Sequence, residues 1–185
     1  MRAPDDRVTQ ILAEWARERP DLDASPMGVI GRIHRIGLHL TDELTRVYRE
    51  FGLGEGDFDV LATLRRAGAP HERTPSELAA STMVTTGAMT KRVDRLEGAG
   101  LVSRRASEAD GRGRVVRLTP RGLDLIDEAY TRHLENEERL LSTVSADDRA
   151  ALARILGHWL AAVEDSGEDT GGDTRRGTGR TASLD

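Results

Sequence analysis

The order of elements predicted in the middle of the chain constrains the fold more than any other feature. Thr74, Pro75 and Glu77 form a helix-start signature, with a capping side chain, a proline in the first turn and a glutamate three residues after the cap. The sequence VTTG then predicts a tight turn into a second helix, AMTKRVDRLEG, which ends at a Gly-Ala-Gly sequence. Two β-like runs, LVSRRA and RVVRLT, flank turn residues and predict a hairpin. The pattern is that of a winged helix-turn-helix.

Long amphipathic helices are predicted on both sides of this unit. Apolar residues recur every three or four positions in residues 6–19, 27–51, 120–144 and 145–165. These apolar stripes exceed what a small winged helix can cover, and a two-fold dimer would bury them. We therefore expect a mostly α-helical chain with a small β-hairpin, in which long N- and C-terminal dimerisation helices flank the winged helix-turn-helix.

Basic residues are concentrated on the helix-turn-helix and hairpin, although the chain as a whole is acidic. The formal net charge is -5, whereas residues 85–117 carry eight Lys or Arg against four Asp or Glu, a local balance of +4. Such a patch supplies the salt-dependent part of DNA affinity by neutralising phosphates. The alternative is a set of solvated cations on an ordinary α+β domain, which does not account for the order of the elements.

The helix-turn-helix geometry predicts which residues contact DNA. The first turn of the second helix would face base edges in the major groove, and the hairpin tip would approach the minor groove. Small residues permit close approach there, and threonine hydrogen-bonds to bases or phosphates. The predicted DNA contacts are Thr85, Thr86, Gly87, Ala88, Thr90, Lys91, Arg95, Arg105, Arg112 and Arg114.

The predicted organisation has five parts. They are an extra N-terminal helix and connector (1–26), a dimerisation helix (27–56), the winged helix-turn-helix DNA-binding domain (57–119), C-terminal dimerisation helices (120–165) and a tail (166–185). The tail consists of Gly, Thr and charged residues with almost no apolar content, so we expect it to be disordered.

The motifs GAMTKRVDRLEGAGLVSRR, a D-x-R hairpin and LTPRG resemble the MarR family of bacterial transcription regulators. The extra N-terminal helix, with EWARERPDLDASPM, is similar to the urate-responsive subgroup, which also resembles regulators of trans-aconitate and citrate. The resemblance implies a homodimeric repressor that binds a pseudo-palindromic operator in the bacterial cytoplasm, associated with the nucleoid. A small anionic effector such as urate would release it. Citrate, trans-aconitate or a phenolic acid such as salicylate are alternative effectors.

The resemblance also implies an effector site. The subgroup uses a tryptophan on the extra helix, an aspartate at the head of the helix before the helix-turn-helix, and arginines on the recognition helix and the first wing strand. These match Trp15, Asp59, Arg92 and Arg104. Each has an alternative role: Trp15 as interface core, Asp59 as a carboxylate favoured at a helix start, and the arginines as phosphate contacts. Gly111 departs from the family pattern, which places another arginine there in many members.

Helical periodicity gives independent support to one part of this site. Arg92 borders the apolar stripe of the recognition helix, whereas Lys91 and Arg95 lie away from it. A cation beside a buried stripe needs a partner, and Asp59 is a candidate. We therefore expect Arg92 to face inward and Lys91 and Arg95 to contact phosphates, with Arg105 as a further candidate. The resemblance implies that Arg104 also faces inward.

Several functional classes are excluded or disfavoured. The chain has no cysteine, which excludes disulfides, cysteine-ligated zinc and thiol redox sensing. It has no nucleophile elbow, phosphate loop or zincin motif, so we expect neither an enzyme nor a cofactor, and no run of 18 apolar residues that would span a membrane. His133 and Glu137 could share a metal ion, but we expect a surface histidine on a solvated helix and no metal site. A nonspecific architectural DNA-binding protein is a further alternative.

Overall fold

The computed structural model describes residues 6–82, 86–106 and 114–169. The helices are α1 (Arg7–Glu18), α2 (Ser25–Glu50), α3 (Glu55–Arg66), α4 (Pro75–Ser81), α5 (Thr86–Gly98), α6 (Pro120–Leu140) and α7 (Ala146–Asp169). The strands are β1 (Glu72–Arg73), β2 (Val102–Ala106) and β3 (Arg114–Leu118). The mostly helical fold with a small hairpin is confirmed.

Side chains cap the starts of α1, α4 and α7. The Asp6 carboxylate accepts from the Thr9 N–H at 2.9 Å, and Ser145 Oγ accepts from the Asp148 N–H at 3.2 Å. In α4 the Thr74 hydroxyl accepts from the Glu77 N–H while the Glu77 carboxylate accepts from the Thr74 N–H at 2.7 Å, which confirms the predicted capping box.

Two predicted boundaries need correction. The winged helix-turn-helix domain was predicted to begin at residue 57, but α3 begins at Glu55, and the Asp57 carboxylate accepts the Gly54 N–H from inside the first turn. At the other end of the chain, α7 continues to Asp169, so the first four residues of the predicted disordered tail are helical. The rest of the tail lies outside the described residues.

The sheet has a third strand that the sequence did not predict. β2 and β3 form the expected antiparallel hairpin, with Arg104 opposite Val116, and β1 pairs with the other edge of β3, with Glu72 opposite Arg117. The strand order is therefore β1-β3-β2. A two-residue strand carries too little alternation to be recognised by its pattern.

The core lies where α3, α4 and α5 pack against one face of the sheet and α6. The predicted apolar stripe of α5, Met89, Val93 and Leu96, is almost completely buried. It packs in one cluster with residues of the other elements, including Val60, Leu61, Leu64, Leu78, Val102, Val116 and Ile126. Burial of this stripe fixes which sides of α5 remain available for polar contacts.

Two compact units are distinguished, residues 1–137 and 138–185. In the first unit, large apolar side chains of α2 remain exposed, among them Val29, Ile30, Ile33, Ile36 and Leu38. In the second, Arg149 donates to Glu138 and to the Leu141 and Val144 carbonyls, and α7 exposes Leu152, Ile155, Leu156, Trp159, Leu160 and Val163. None of the described helices is long and apolar enough to cross a membrane.

Candidate nucleic-acid interface and ligand site

Helix α5 is held from the α3 side by an ion pair. Arg95 Nε lies 3.1 and 3.0 Å from the two carboxylate oxygens of Asp57, and its Nη2 also donates to Oδ1. The Asp57 side chain is only 7% exposed, whereas that of Arg95 is 59% exposed. The hydrogen bonds that Arg95 donates to Asp57 raise the pKa of Arg95. The predicted phosphate contact Arg95 therefore already has a protein partner, which sequence reasoning missed.

Arg92 lies next to this pair, over the backbone of α3. A Cβ atom built on Gly56 would be 2.2 Å from Arg92 Cζ, so the guanidinium occupies the space that any side chain at position 56 would need. Arg92 is half-buried and Lys91 is exposed, which confirms the prediction from helical periodicity. Within the described part of the chain, no acceptor forms a hydrogen bond with the Arg92 guanidinium.

Asp59 interacts with Arg92 through its charge, without a hydrogen bond or an ion pair in the described structure. Partial burial of the carboxyl and the nearby Glu55 raise the pKa of Asp59, and Arg92 and Arg66 only partly oppose that rise. Arg92 and Asp59 thus interact only through their charges in the described structure. The N–H groups of the Arg92 guanidinium can therefore donate to another acceptor.

Arg104 contacts the opposite side of α5. Its Nη1 lies 2.6 Å from Glu97 Oε2 and its Nη2 lies 2.6 Å from Asp94 Oδ1, while its backbone N–H donates to Glu97 at 2.9 Å. Burial opposes ionisation of Arg104, but the hydrogen bonds to Asp94 and Glu97 outweigh it and raise its pKa. The Arg104 bonds also lower the pKa of Glu97.

Arg92 and Arg104 are both half-buried, as expected, but they lie on different sides of α5. Residues two apart on a helix differ by about 200°, so Asp94, which binds Arg104, projects away from Arg92. Both arginines face the protein, but from two sides of α5, and their joint effector site stays a prediction. Helical periodicity predicts the inward position of Arg92 only. The inward position of Arg104 follows from the family resemblance alone.

Trp15 lines a groove to which Asp59, Arg92 and Arg104 do not contribute. Its side chain is 47% exposed on α1 and lines a groove of about 360 Å³. The groove is formed by Trp15 with Arg19, Leu22, Asp23, Ala24, Pro26 and Met27. Of the four implied residues, Asp59 and Arg92 interact through their charges, and the complete effector site stays a prediction.

The predicted DNA contacts fall into three groups. Gly87, Thr90, Lys91 and Arg114 are exposed and Ala88 is half-buried. Arg105 donates to Glu72 at 2.7 and 3.0 Å, so, like Arg95, it already forms an ion pair with a carboxylate. Thr85 and Arg112, like Gly111, lie outside the described residues, as does the side chain of Thr86.

His133 is not the surface histidine that was expected. Its side chain is 12% exposed, and its ring packs against Tyr48, Phe58 and Tyr130 at centroid distances of 5.7, 5.0 and 5.7 Å. Its Nε2 lies 3.2 Å from Glu137. Three aromatic rings from α2, α3 and α6 converge there, which periodicity along α6 alone does not reveal. No group of three or more His, Asp or Glu in the described ranges could hold a metal ion.

The fold, with Gly87 exposed in the first turn of α5, is that of a winged helix-turn-helix DNA-binding regulator. A family model described as MarR family matches residues 51–113. The HTH-type transcriptional regulator PecS of Dickeya dadantii (strain 3937) is 40% identical over 150 residues, which cover 81% of this chain and 90% of that protein. The chain belongs to the MarR family. It is a DNA-binding transcriptional regulator and not an enzyme.

Solved structures show the same fold. AbsC, a MarR family regulator from Streptomyces coelicolor, matches with a TM-score of 0.70 at 23% identity over 78% of this chain and 97% of that one. A mutant MarR from E. coli complexed with operator DNA matches with a TM-score of 0.63 at 26% identity, over 79% of this chain and 97% of that one.

Proposed function

We propose that the protein is a homodimeric repressor that binds a pseudo-palindromic operator and is released by a small organic anion such as urate. The observation that carries the proposal is the half-buried Arg92, whose guanidinium lies on the recognition helix beside Asp59. The 40% identity with the regulator PecS supports the regulatory role.

Exposed apolar side chains support the homodimer. Along α2, Ile30, Ile33 and Ile36 are each at least 40% exposed in the single chain, although they are spaced like core residues. Burial of apolar area stabilises association by about 25 cal/mol per Å². A two-fold dimer would present two α5 helices to half-sites about 10 bp apart.

The open surface of α5 supports operator binding. A Cβ on Gly87 would meet no atom of the described residues within 4 Å, which favours close approach of the start of the helix to DNA. Lys91 is exposed in the next turn and Arg114 is exposed at the start of β3. We assign base reading to the start of α5 and phosphate contacts to Lys91 and Arg114.

The charges around Arg92 support an anionic effector. An anion would supply the acceptors that the described structure does not provide for Arg92, and its negative charge would further raise the pKa of Asp59. Because Arg92 belongs to α5, its displacement from Gly56 would move the recognition helix. Trp15 and Arg104 remain in the proposal only as residues implied by the family resemblance, and single variants test them separately.

Effector titrations into a protein–operator complex, followed by fluorescence anisotropy, test this proposal. Urate is expected to release the DNA, and citrate, trans-aconitate and salicylate are the alternative effectors. Arg92→Gln should lose the response, whereas Arg132→Gln, an exposed arginine of α6, should keep it. If none of the four anions weakens operator binding, or if Arg92→Gln responds like wild type, the effector assignment is wrong. A promoter fusion that is more active without the protein would support repression.

A further inference from the structure

The outer face of the sheet carries a charged cluster that the effector site does not use, although it includes Arg105, a predicted phosphate contact. We define this face by Glu72, Ser103, Arg105, Val115 and Arg117. The register places Glu72 and Ser103 directly opposite Arg117, on either side of the central strand. Side chains of directly opposite residues project to the same side of a sheet. The other side carries Val102 and Val116, which belong to the core.

Glu72 on this face already has a partner. Arg105 of β2 donates to Glu72 of β1 through Nη2 at 2.7 Å and Nε at 3.0 Å. Because β3 lies between those strands, this ion pair crosses the central strand, and Val115 of β3 is only 6% exposed. Glu72 is therefore committed to Arg105, although Arg117 is its direct cross-strand neighbour.

Arg117 consequently stays without a counterion in the described structure. It is half-buried, and within residues 6–82, 86–106 and 114–169 no hydrogen bond or ion pair engages its guanidinium. A half-buried cation with unused donors favours an anionic acceptor, since water alone solvates it only in part.

A pocket of about 410 Å³ opens at Arg117. Its polar lining comes from Ser103, Arg105, Arg117, His71 and Thr119, and its apolar lining from Pro70, Leu118, Pro120 and Leu123. The Thr119 hydroxyl is already hydrogen-bonded within the protein, since it donates to the Gly100 carbonyl and accepts from the Gly122 N–H. The lining thus combines a free guanidinium and a hydroxyl with two rigid proline rings.

The backbone of His71 is held in place at the edge of this pocket. His71 has a φ of 59°, a left-handed conformation that costs a non-glycine residue on the order of 1 kcal/mol. Its N–H donates to the Gly68 carbonyl at 2.6 Å, and its carbonyl accepts from the Leu118 N–H at 3.1 Å. These bonds attach the Pro70–His71 wall to β3, so that the pocket is bounded by fixed backbone.

We propose that this pocket binds a small organic monocarboxylate with an apolar body. The carboxylate would accept from the Arg117 guanidinium and the Ser103 hydroxyl, since the arginine fork matches carboxylate geometry. The apolar body would lie against Pro70, Pro120 and Leu123. The site is separate from that of Arg92, which lies between α5 and α3, and it does not depend on the identity of the effector there. β3 continues through Thr119 into α6, so a ligand in this pocket would contact both the wing strand and the start of that helix.

The full-length protein can be tested with cyclohexanecarboxylate and its uncharged analogue cyclohexanecarboxamide. We expect saturable binding of the carboxylate by calorimetry, with amide shifts in NMR spectra centred on Ser103, Arg117 and Leu118. The carboxamide should bind at least tenfold more weakly. Equal binding of the two compounds, no saturable binding of the carboxylate, or amide shifts centred on Arg92 would each overturn the proposal.

Matched variants test the role of Arg117. Arg117→Gln should weaken carboxylate binding at least tenfold, and Arg117→Lys should have an intermediate effect because it keeps the charge without the fork. Arg121→Gln removes an exposed arginine of α6 outside the pocket and should bind within twofold of wild type. Circular dichroism checks that each variant is folded. If Arg117→Gln does not fold, Arg117→Lys takes its place in the test. Wild-type affinity in a folded Arg117→Gln or Arg117→Lys protein would refute the assignment.

Discussion

The ion pair between Arg95 and Asp57 predicts that Arg95 positions the recognition helix and does not act mainly as a phosphate contact. In Arg95→Gln, the Asp57 carboxylate, 7% exposed, loses the guanidinium that it binds through both oxygens. Removing one partner of a fully buried pair costs about 3–5 kcal/mol, and exposed pairs contribute about 0–1 kcal/mol. Because the Arg95 side chain is 59% exposed, we expect an intermediate loss of about 1–2 kcal/mol.

Denaturant unfolding and operator titrations together measure this effect. A double-mutant cycle with Asp57→Asn should give a coupling of about 1 kcal/mol between the two side chains. Arg95→Gln should lower operator affinity while the dependence of log K on log salt stays the same. Lys91→Gln is the comparison, because loss of a phosphate contact should reduce that slope by about 0.9. If Arg95→Gln leaves stability unchanged and reduces the slope as Lys91→Gln does, the positioning role is refuted.

Three further predictions concern the other contacts of α5. Gly56→Ala should change stability by less than about 1 kcal/mol, since alanine favours helix, but should blunt the effector response in operator titrations because Arg92 is displaced. Arg104→Gln should cost about 1 kcal/mol in denaturant unfolding by removing the bonds to Asp94 and Glu97, with an unchanged salt slope for operator binding. Asp59→Asn should raise Tm at pH 7, since the raised pKa of Asp59 means that ionisation costs more in the folded state; the gain should vanish below about pH 4, where both states are protonated. A constant gain at all pH values would contradict the last prediction.

The fold could be predicted because local signals agreed with one another. The capping box at Thr74 and Glu77, the buried stripe of Met89, Val93 and Leu96, and the two alternating strands each have a short-range physical cause. Strand β1 could not be predicted, because its two residues become a strand only by pairing with β3.

Side-chain partners were harder to predict than elements. Periodicity correctly placed Arg92 at the edge of the stripe, but an exposed arginine such as Arg95 can still reach a buried acid on another helix. The pairs of Arg95 with Asp57 and Arg105 with Glu72 join residues 38 and 33 positions apart, and no local pattern specifies them. A usable signal existed for Arg104: Asp94 and Glu97, three apart on α5, form an acidic side that needs a cation.

The measurement that tests the central claim most directly is competition between specific and unrelated DNA. An operator can be selected by the full-length protein from random-sequence duplexes and compared with a scrambled duplex of the same length at one salt concentration. We predict a pseudo-palindromic consensus, two chains per duplex and a preference of about a thousandfold or more for the operator. Equal affinity for both duplexes, with a steep salt dependence, would contradict the account and indicate a nonspecific DNA-binding protein.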